Sequence, residues 1–487
     1  MKLKQLIDKD DIQKSGVDLE LEVASISSNT NQELNNRVFV ALSGTKNDGN
    51  EYIEKVLKKG ADAFVTDNKD FFEKFSKRGV LVKNARSTLA KMWSKFYNNP
   101  AKNMKIIAIT GTNGKTSTAH FLYSILKESG IVCGLISTIE IKISKKLIHL
   151  DEDTLNNTAT MTTPDPEELY KILAMMKAEG VEVVVMEASS HALSLCKLDG
   201  LEVDIGVFTN LSREHLDFHT DIEEYFLAKE LLFKKCNIGI VNIDDKYGKR
   251  LKDRYKCRVF TVSCHEDGDY LASKIICNTK GVKFYAKLEK TRVCIKSKSL
   301  GTFTVYNTLV AAACASALGI SAKQIKEGIW KTEVIKGRLE RYENKNIFID
   351  YAHTPEATKG VLEVLRRAYP NKKMIVLFGC GGDRDKGKRP EVGKICSKYA
   401  DFSIVTADNS RSENTEDIIS DILVGYETKD NFKVILDRTE AIKYGVKMLK
   451  KDSVLVLLGK GHEQYEITKD GKIPFDERTV LREIFNK

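Results

Sequence analysis

No apolar run in the 487 residues reaches the roughly 18 positions that a membrane-spanning helix requires. The opening Met1-Lys2-Leu3-Lys4 leads into a polar segment rather than the apolar core of a secretory signal. Both absences predict a cytoplasmic protein without membrane insertion. None of the ten cysteines forms a CxxC pair, so the ligand spacing of a zinc site is missing. In a reducing compartment these cysteines are expected to be small buried apolar residues. There is no solenoid repeat and no low-complexity tract. The formal charge is +10, yet Lys and Arg run along the whole chain with Asp and Glu among them, and the sequence shows no basic stripe interleaved with aromatics. A nucleic-acid partner is therefore not expected. A diffuse basic surface suits small anionic substrates instead.

What is present is an ordinary globular composition, 42% hydrophobic and 30% charged, in a chain long enough for about three domains. Arg37–Leu42 reads as a strand and Tyr52–Lys59 as a short helix. The polar segment Lys95–Lys105 (KFYNNPAKNMK) reads as a first linker. From Lys105 strands and helices alternate: Lys105–Ile109 and Val181–Met186 are β-branched runs, as is Asp204–Thr209, while Thr116–Glu128 and Glu168–Glu179 have helical periodicity. This alternation predicts a parallel sheet covered on both faces. A second break falls near Ile335–Arg338. Beyond it Asn346–Asp350, Lys373–Phe378, Phe402–Thr406 and Ser453–Leu458 are strand-like, each followed by a loop rich in Gly, Asp, His or Arg. The fold class is therefore α/β, with boundaries expected at 1–98, 99–335 and 336–487.

The sharpest chemical signal is Gly111-Thr112-Asn113-Gly114-Lys115-Thr116-Ser117, which follows a strand and opens a helix. Backbone N–H groups there can cradle phosphates, Lys115 can neutralise phosphate charge, and the Thr116 hydroxyl can bind Mg²⁺. The strict phosphate-loop pattern has Gly where this chain has Ile109. Glu187, in EASSH, ends a later strand, and His215 lies in Asn210–Asp217. Both can ligate a metal beside the γ-phosphate. By itself Lys229, in Tyr225–Phe233 (YFLAKELLF), reads as a solvated lysine on an amphipathic helix. Asp350–Pro355, Gly379–Gly387, Asp408–Arg411 and Gly459–Glu463 form four loops at strand ends. They supply Arg384, Arg411 and Glu463, groups suited to a zwitterionic amino acid.

These motifs together resemble the Mur ligases, the family that builds the peptide stem of bacterial peptidoglycan. The motifs that carry the resemblance are GTNGKTS, TTP (Thr162–Pro164), EASSH, TNLSREHLDFH, DYAHTP, GCGGDRDKGKRP and GKGHE. It implies an N-terminal UDP-binding α/β domain, a central phosphate-loop domain with a parallel sheet, and a C-terminal Rossmann-like domain. It implies ATP and Mg²⁺ as cofactors, and UDP-N-acetylmuramoyl-L-alanyl-D-glutamate and a diamino acid as substrates. A monomer is expected. Ser28, Thr45, Lys46 and Asn47 match the family's uridine positions, and Thr162, Thr163, Ser189 and Lys197 those around the muramoyl-dipeptide. Asn307, Arg338, Asp350 and His353 match positions around ATP. Arg384, Asp408, Asn409, Ser410, Arg411, Gly459 and Glu463 match the amino-acid pocket. Lys229 matches a carbamylated lysine that serves as a metal ligand with Thr116, Glu187 and His215. Lys115, Glu187, His215 and Lys229 are the catalytic set so implied. Three departures stand out: Ser27-Ser28-Asn29 for Asp-Ser-Arg, Met161 for Asn, and Ser410 for Pro.

The implied reaction activates the D-glutamate side-chain carboxylate as an acyl phosphate, which the amine of the incoming amino acid then attacks. Arg411 favours a diamino diacid. The expected order is meso-2,6-diaminopimelate, then lanthionine, then L-lysine. A folylpolyglutamate synthase shares the core, but the segment before Lys95 argues against it. A phosphate-loop ATPase is the rival from another class, and amino-acid-dependent ATP turnover separates the two.

Overall fold

The β-branched runs expected from the sequence become the strands of three sheets. The computed structural model describes residues 1–44, 47–144, 146–147 (backbone), 161–215, 218–255, 258–289, 291–427 and 431–486. Thr45 and Lys46, two of the expected uridine positions, lie outside the described residues, as do Leu216 and Asp217.

The N-terminal sheet contains β1 (Ile12–Ser15), β2 (Ser25–Ser27), β3 (Arg37–Val40), β4 (Ala63–Thr66) and β5 (Gly79–Val82), in the order β1-β5-β4-β3-β2. Strands β2 to β5 pair in parallel and β1 is antiparallel to β5. The helix Ala85–Phe96 follows, capped by Asn84, whose side chain accepts from Ser87 N–H.

The middle sheet has eleven strands: β6 (Lys105–Thr110), β7 (Cys133–Ile136), β8 (Ile141–Ile143), β9 (Lys146–Leu147), β10 (Val183–Glu187), β11 (Val203–Phe208), β12 (Cys236–Asn242), β13 (Arg258–Ser263), β14 (Tyr270–Asn278), β15 (Gly281–Leu288) and β16 (Thr291–Ser297). Their order is β16-β15-β14-β13-β12-β11-β6-β10-β7-β8-β9. The expectation of a parallel sheet needs correction at both ends. β10 pairs in parallel with β6 and β7, but β7–β8–β9 and β14–β15–β16 are antiparallel. The cause is local. Gly281 sits at φ +118 in a tight turn, so two strands join directly without a crossover helix.

The last sheet contains β17 (Glu340–Arg341), β18 (Ile347–Asp350), β19 (Lys373–Phe378), β20 (Phe402–Val405), β21 (Phe432–Val434) and β22 (Ser453–Leu458), ordered β17-β18-β22-β19-β20-β21. All its neighbours are parallel except β17–β18. One apolar cluster contains Phe348, Val376 and Val456; another contains Ile349, Ile375 and Leu457. Alternate residues of the same strands thus feed different cores, as a sheet buried on both faces requires. A hairpin, β23 (Tyr465–Thr468) and β24 (Gly471–Pro474), follows.

By packing, the chain divides into two units. One contains Met1–Thr110, Ile131–Gly206 and Ala228–Ile238; the other contains Gly111–Gly130, Val207–Leu227 and Gly239–Lys487. Within the second, the helix Ala322–Lys331 lies against Lys115–Glu128, the helix that the phosphate loop opens. The approach is close because residue 328 is glycine: a Cβ there would stand 2.4 Å from Ile125 Cα, and Ser124 Oγ donates to Gly328 O at 2.7 Å.

Gly328→Ala sets helix propensity, which favours Ala by about 1 kcal/mol, against overpacking, which costs about 1–3 kcal/mol. Because the obstructing atom is backbone, overpacking should win. Denaturant unfolding should show net destabilisation; a stabilised variant would mean that the helices separate freely.

Candidate functional site

In the second unit, Gly111 at φ +142 and Gly114 at φ +87 shape the phosphate loop. Neither position tolerates a side chain: a Cβ on Gly111 would lie 1.9 Å from Thr209 Oγ1, and one on Gly114 2.4 Å from Asn307 Oδ1. Asn210 holds the loop by accepting from Asn113 N–H through Oδ1 (2.9 Å) and donating through Nδ2 to Asn113 O (3.0 Å). Thr112 N–H donates to Asn210 O at 2.8 Å, and Thr112 Oγ1 lies 3.2 Å from the Tyr225 hydroxyl. Lys115 Nζ donates to Gly111 O (2.8 Å) and Thr112 O (2.9 Å), so the amine closes over the loop that would hold phosphate. Thr116 is buried and Ser117 half-buried in the first helical turn. The absent Gly at position 109 has a plain explanation. Ile109 is a buried strand residue in register with Glu187, and the loop begins only at Gly111.

The groups expected around ATP come together here. Arg338 donates to Thr116 Oγ1 at 3.2 Å and lies over the Tyr351 ring at 4.9 Å. Asn307 is buried beside Gly114. Asp350 accepts from the N–H groups of Leu339 (2.5 Å) and Ala352 (2.7 Å). Burial still pushes its carboxyl up, with Arg338 opposing. The two nitrogens of His353 face Tyr351 O at 2.8 Å and Glu214 Oε1 at 2.9 Å. His215 adopts φ +58 and approaches Glu214 Oε2 at 3.7 Å. Burial raises the Glu214 carboxyl, but His215 and His353 outweigh it and hold the group well below the usual carboxylate range. The Thr116 hydroxyl is an oxygen donor of the kind that suits a hard divalent cation bound chiefly through phosphate and water. Among the described residues no cluster of three or more acidic, His or Cys side chains forms a closed metal cage. Mg²⁺ does not require one.

A second group of loops in this unit forms a nearly closed polar network. Asn409 Nδ2 donates to Glu463 Oε2 (2.9 Å), while Asn409 Oδ1 accepts from Lys460 Nζ (2.8 Å) and Ile467 N–H (2.9 Å). Lys460 is 0% exposed and also pairs with Glu463 at 3.2 Å. Gly459 at φ +105 leaves room for Asp408, whose Oδ2 would be 2.5 Å from a Cβ there. Arg411 donates through Nη1 to Gly382 O at 2.7 Å. Gly381 lies between two arginines: a Cβ there would be 2.9 Å from Arg411 Nη1 and 3.8 Å from Arg384 Cγ. Ser410 is buried, and the loop is tied down by Arg411 N–H to Ile467 O (3.0 Å) and Gly382 N–H to Asn409 O (2.9 Å).

The sequence reading missed two cations of this network. Lys460 was visible inside GKGHE but carried no pattern that marked it as buried. Arg438 had no signal at all. Its guanidinium donates to Ala407 O (2.8 Å), Leu458 O (2.7 Å) and Glu477 Oε1 (2.7 Å). Ala407 and Leu458 immediately precede Asp408 and Gly459, so Arg438 fixes the roots of both loops.

In the first unit, Glu187 is 0% exposed at the end of β10. It accepts from Thr138 N–H through Oε1 (2.8 Å) and from the Thr138 hydroxyl through Oε2 (3.0 Å). Thr163 Oγ1 donates to Glu187 O and accepts from Ser189 N–H, both at 3.0 Å. Thr162 is half-buried beside it. Ser189 caps the short helix Ser190–Ser194. Lys197 Nζ lies 2.8 Å from Asp165 Oδ1 and 3.3 Å from Met161 Sδ, a weak acceptor where the family pattern has Asn. Lys229 is 1% exposed, which overturns the solvated reading. It lies on the buried side of its helix with Tyr225, Phe226 and Ala228, while Glu224 and Leu227 face solvent. Ser28 and Asn47 are exposed. Among the described cysteines Cys277 is exposed, against the expectation of burial.

Residues 109–315 match the Mur ligase middle domain, and residues 337–461 match the Mur ligase glutamate ligase domain. The chain belongs to the Mur ligase family. It is an amide-bond-forming ligase of that family. It is 43% identical to the UDP-N-acetylmuramoyl-L-alanyl-D-glutamate–2,6-diaminopimelate ligase of Caldanaerobacter subterraneus subsp. tengcongensis, across 92% of this chain and 91% of that protein. The protein of the same name from Clostridium tetani is 37% identical, with both chains covered in full. Among solved Mur ligases, a UDP-N-acetylmuramoyl-L-alanyl-D-glutamate–2,6-diaminopimelate ligase superposes with TM-score 0.68 at 25% identity, over 100% of this chain and 99% of that one. A MurF ligase from Thermotoga maritima in complex with ADP shares the fold, with TM-score 0.62 at 19% identity over 96% and 98% of the two chains.

The buried loop network has a pH consequence. Burial opposes ionisation of Asp408, but Lys460, Arg438 and the Asn409 N–H overcome it and leave the carboxyl below its ordinary value. A depressed folded pKa stabilises the fold fully above the unfolded value, about 3.9, and that stabilisation is lost as pH falls through the folded value. Asp408→Asn should therefore flatten the fall of the denaturant midpoint below about pH 4. An unchanged acid limb would remove Asp408 from this account.

Proposed function

We propose that the protein is the ATP-dependent ligase that joins a diamino diacid, meso-2,6-diaminopimelate first, to the D-glutamate carboxylate of UDP-N-acetylmuramoyl-L-alanyl-D-glutamate. The single observation that carries the choice of amino acid is the convergence of Arg411 and Arg384 on Gly381, beside the Asp408–Asn409–Glu463 network. Carboxylates at one end of the pocket suit an ammonium group, and guanidinium groups suit a carboxylate. The three-domain division at 1–98, 99–335 and 336–487 belongs to the same reading and is supported by each sheet lying within one of these spans.

In this reading Lys115 and the loop amides bind the β- and γ-phosphates of ATP, with Asn307, Arg338, Asp350 and His353 around the rest of the nucleotide. A carboxylate oxygen of the substrate attacks the γ-phosphorus and ADP departs. The amine then attacks the acyl carbon, and phosphate leaves. Lys115 has to exchange its two carbonyl partners for phosphate oxygens, which replaces a neutral acceptor of the ammonium by a charged one and favours the bound state. Mg²⁺, when bound, would offset phosphate charge. Thr116, His215, Glu187 and Lys229 as a carbamate are its proposed ligands. Ser28, Thr45, Lys46 and Asn47 serve the uridine end of the substrate, and Thr162, Thr163, Ser189 and Lys197 its peptide end. The chain works as a monomer in the cytoplasm.

Carbamylation of Lys229 belongs to the same reading: a carbamate carries two acceptor oxygens and a negative charge that a divalent cation can neutralise. Lys229→Ala should lose most ligase activity, and acetate should restore part of it by supplying a carboxylate. Wild-type turnover in Lys229→Ala would return the residue to a structural role.

The deciding experiment supplies ATP, Mg²⁺, the UDP-muramoyl-dipeptide and, separately, meso-diaminopimelate, lanthionine and L-lysine, with products identified by mass. A charge-assisted pair to the distal carboxylate contributes about 1.5–3 kcal/mol, so kcat/KM should favour the diacids about ten- to hundredfold. Arg411→Ala should erase most of that preference. L-lysine as the best substrate, or full diaminopimelate activity in Arg411→Ala, would refute the assignment.

A further inference from the structure

Charge is not spread evenly in this molecule. Between Leu271 and Leu300 the sequence has eight cations (Lys274, Lys280, Lys283, Lys287, Lys290, Arg292, Lys296 and Lys298) and one carboxylate, Glu289. This segment therefore supplies seven of the chain's ten net positive charges. It forms β14, β15 and β16, at one end of the eleven-stranded sheet.

The strands alternate. Val282, Phe284, Ala286, Leu288 and Ile295 are buried, on the side packed by the helices Thr302–Ala317 and Ala322–Lys331. Lys283, Tyr285 and Lys287 of β15 and Arg292 and Lys296 of β16 are exposed on the other side. Register then places like charges directly opposite each other: Lys283 faces Lys296, and Lys287 faces Arg292, flanking the pair Tyr285–Cys294. Like charges in cross-strand pairs destabilise a sheet, so two such pairs on one face call for an anion from outside. Among the described residues none of these cations is in an ion pair. Arg292 instead donates to Ser273 Oγ at 2.8 Å and lies over Tyr285, 5.3 Å from the ring centre, with Lys274 at 5.9 Å.

The same face carries apolar side chains. Register slips between Ser273 and Ile276, and Lys274 takes φ +51. At this bulge two successive residues, Ile275 (36%) and Ile276 (52%), are exposed next to Tyr285 (37%). Cations that surround exposed aliphatic and aromatic groups are the pattern that binds an anionic lipid surface, where charge meets headgroups and apolar side chains enter the interface. A single-stranded nucleic acid would be met by a series of stacking aromatics, and Tyr285 is the one aromatic on this face among the described residues.

We infer that the outer face of β14–β16 docks the enzyme peripherally on an anionic phospholipid bilayer, without insertion of any segment. The inference does not depend on which amino acid is joined, because none of these residues belongs to the proposed substrate sites. The test is co-sedimentation of the full chain with vesicles of phosphatidylglycerol and phosphatidylcholine, and with phosphatidylcholine alone. Wild type should pellet with the anionic vesicles and not with the neutral ones, and should be released near 1 M salt, where screening acts over about 3 Å. Lys283→Glu/Lys296→Glu should weaken binding about tenfold or more. Its thermal unfolding and its turnover in solution should stay unchanged. Lys77→Glu/Lys127→Glu, the same charge change at exposed positions elsewhere, should bind vesicles far better than that variant. The inference is overturned if wild type ignores anionic vesicles, if the two double variants bind equally, or if a single-stranded RNA oligomer is captured in place of vesicles.

Discussion

A buried charge must meet an opposite charge or a dipole, and the loops of the C-terminal sheet are arranged by that requirement. Arg438 lies at the centre. With Glu477 it forms a pair from which solvent is almost absent, and its remaining donors take the carbonyls of Ala407 and Leu458. Removing one member of such a pair costs about 3–5 kcal/mol, because its partner is left charged and dry. β20 and β22, the two strands that flank β19, thereby end at fixed positions, and the loops they release, Asp408–Arg411 and Gly459–Glu463, start from the same anchor. Lys460 repeats the device one layer further out: its ammonium draws Asn409 and Glu463 together. The pocket is built outward from buried cations, and the residues that would touch substrate are the last layer.

The strands of this protein were legible in its sequence because they are short β-branched runs between polar loops. Lys373–Phe378 and Ser453–Leu458 fall where the pattern puts them. The phosphate loop was legible for a different reason: glycines at φ values forbidden to other residues leave a mark in the sequence. The antiparallel edges of the middle sheet were not foreseen. Residues 270–297 alternate with period two, but the eye follows strand–helix alternation, and a hairpin turn at Gly281 leaves only one glycine as its sign.

One misreading and two omissions share one cause. Lys229, Lys460 and Arg438 are long cations, and composition says only that such side chains are commonly solvated. Burial depends on which strands and helices surround them, and that information is three-dimensional. The reverse happened on β14–β16. There the cations are solvated, but their concentration on one face was hidden because lysines at every second or fourth position look scattered along a line. Linear spacing reports a helix face readily, whereas a sheet face collects residues from strands whose register the sequence does not state.

The replacement of proline by Ser410 shows how structure changes an argument from sequence. Taken by itself, loss of the fixed φ of proline would loosen the loop around Arg411. In the fold, Ser410 is buried, its carbonyl accepts from Glu413 N–H, and the residues on either side are tied to Gly382 and Ile467. Gly382 is closed in the same way, since a Cβ there would strike Ser410 O at 1.9 Å. Proline reduces the freedom of the unfolded chain, but three backbone anchors restrain the folded loop whichever residue stands at 410. Arg411 itself sits at φ +52, a strained conformation for a long side chain, and it persists because the surrounding hydrogen bonds over-determine it. The guanidinium is therefore presented by the loop's network rather than by the stiffness of one residue. Discrimination among diamino acids then turns on where the second carboxylate of each can reach, and not on whether the loop is rigid enough to choose.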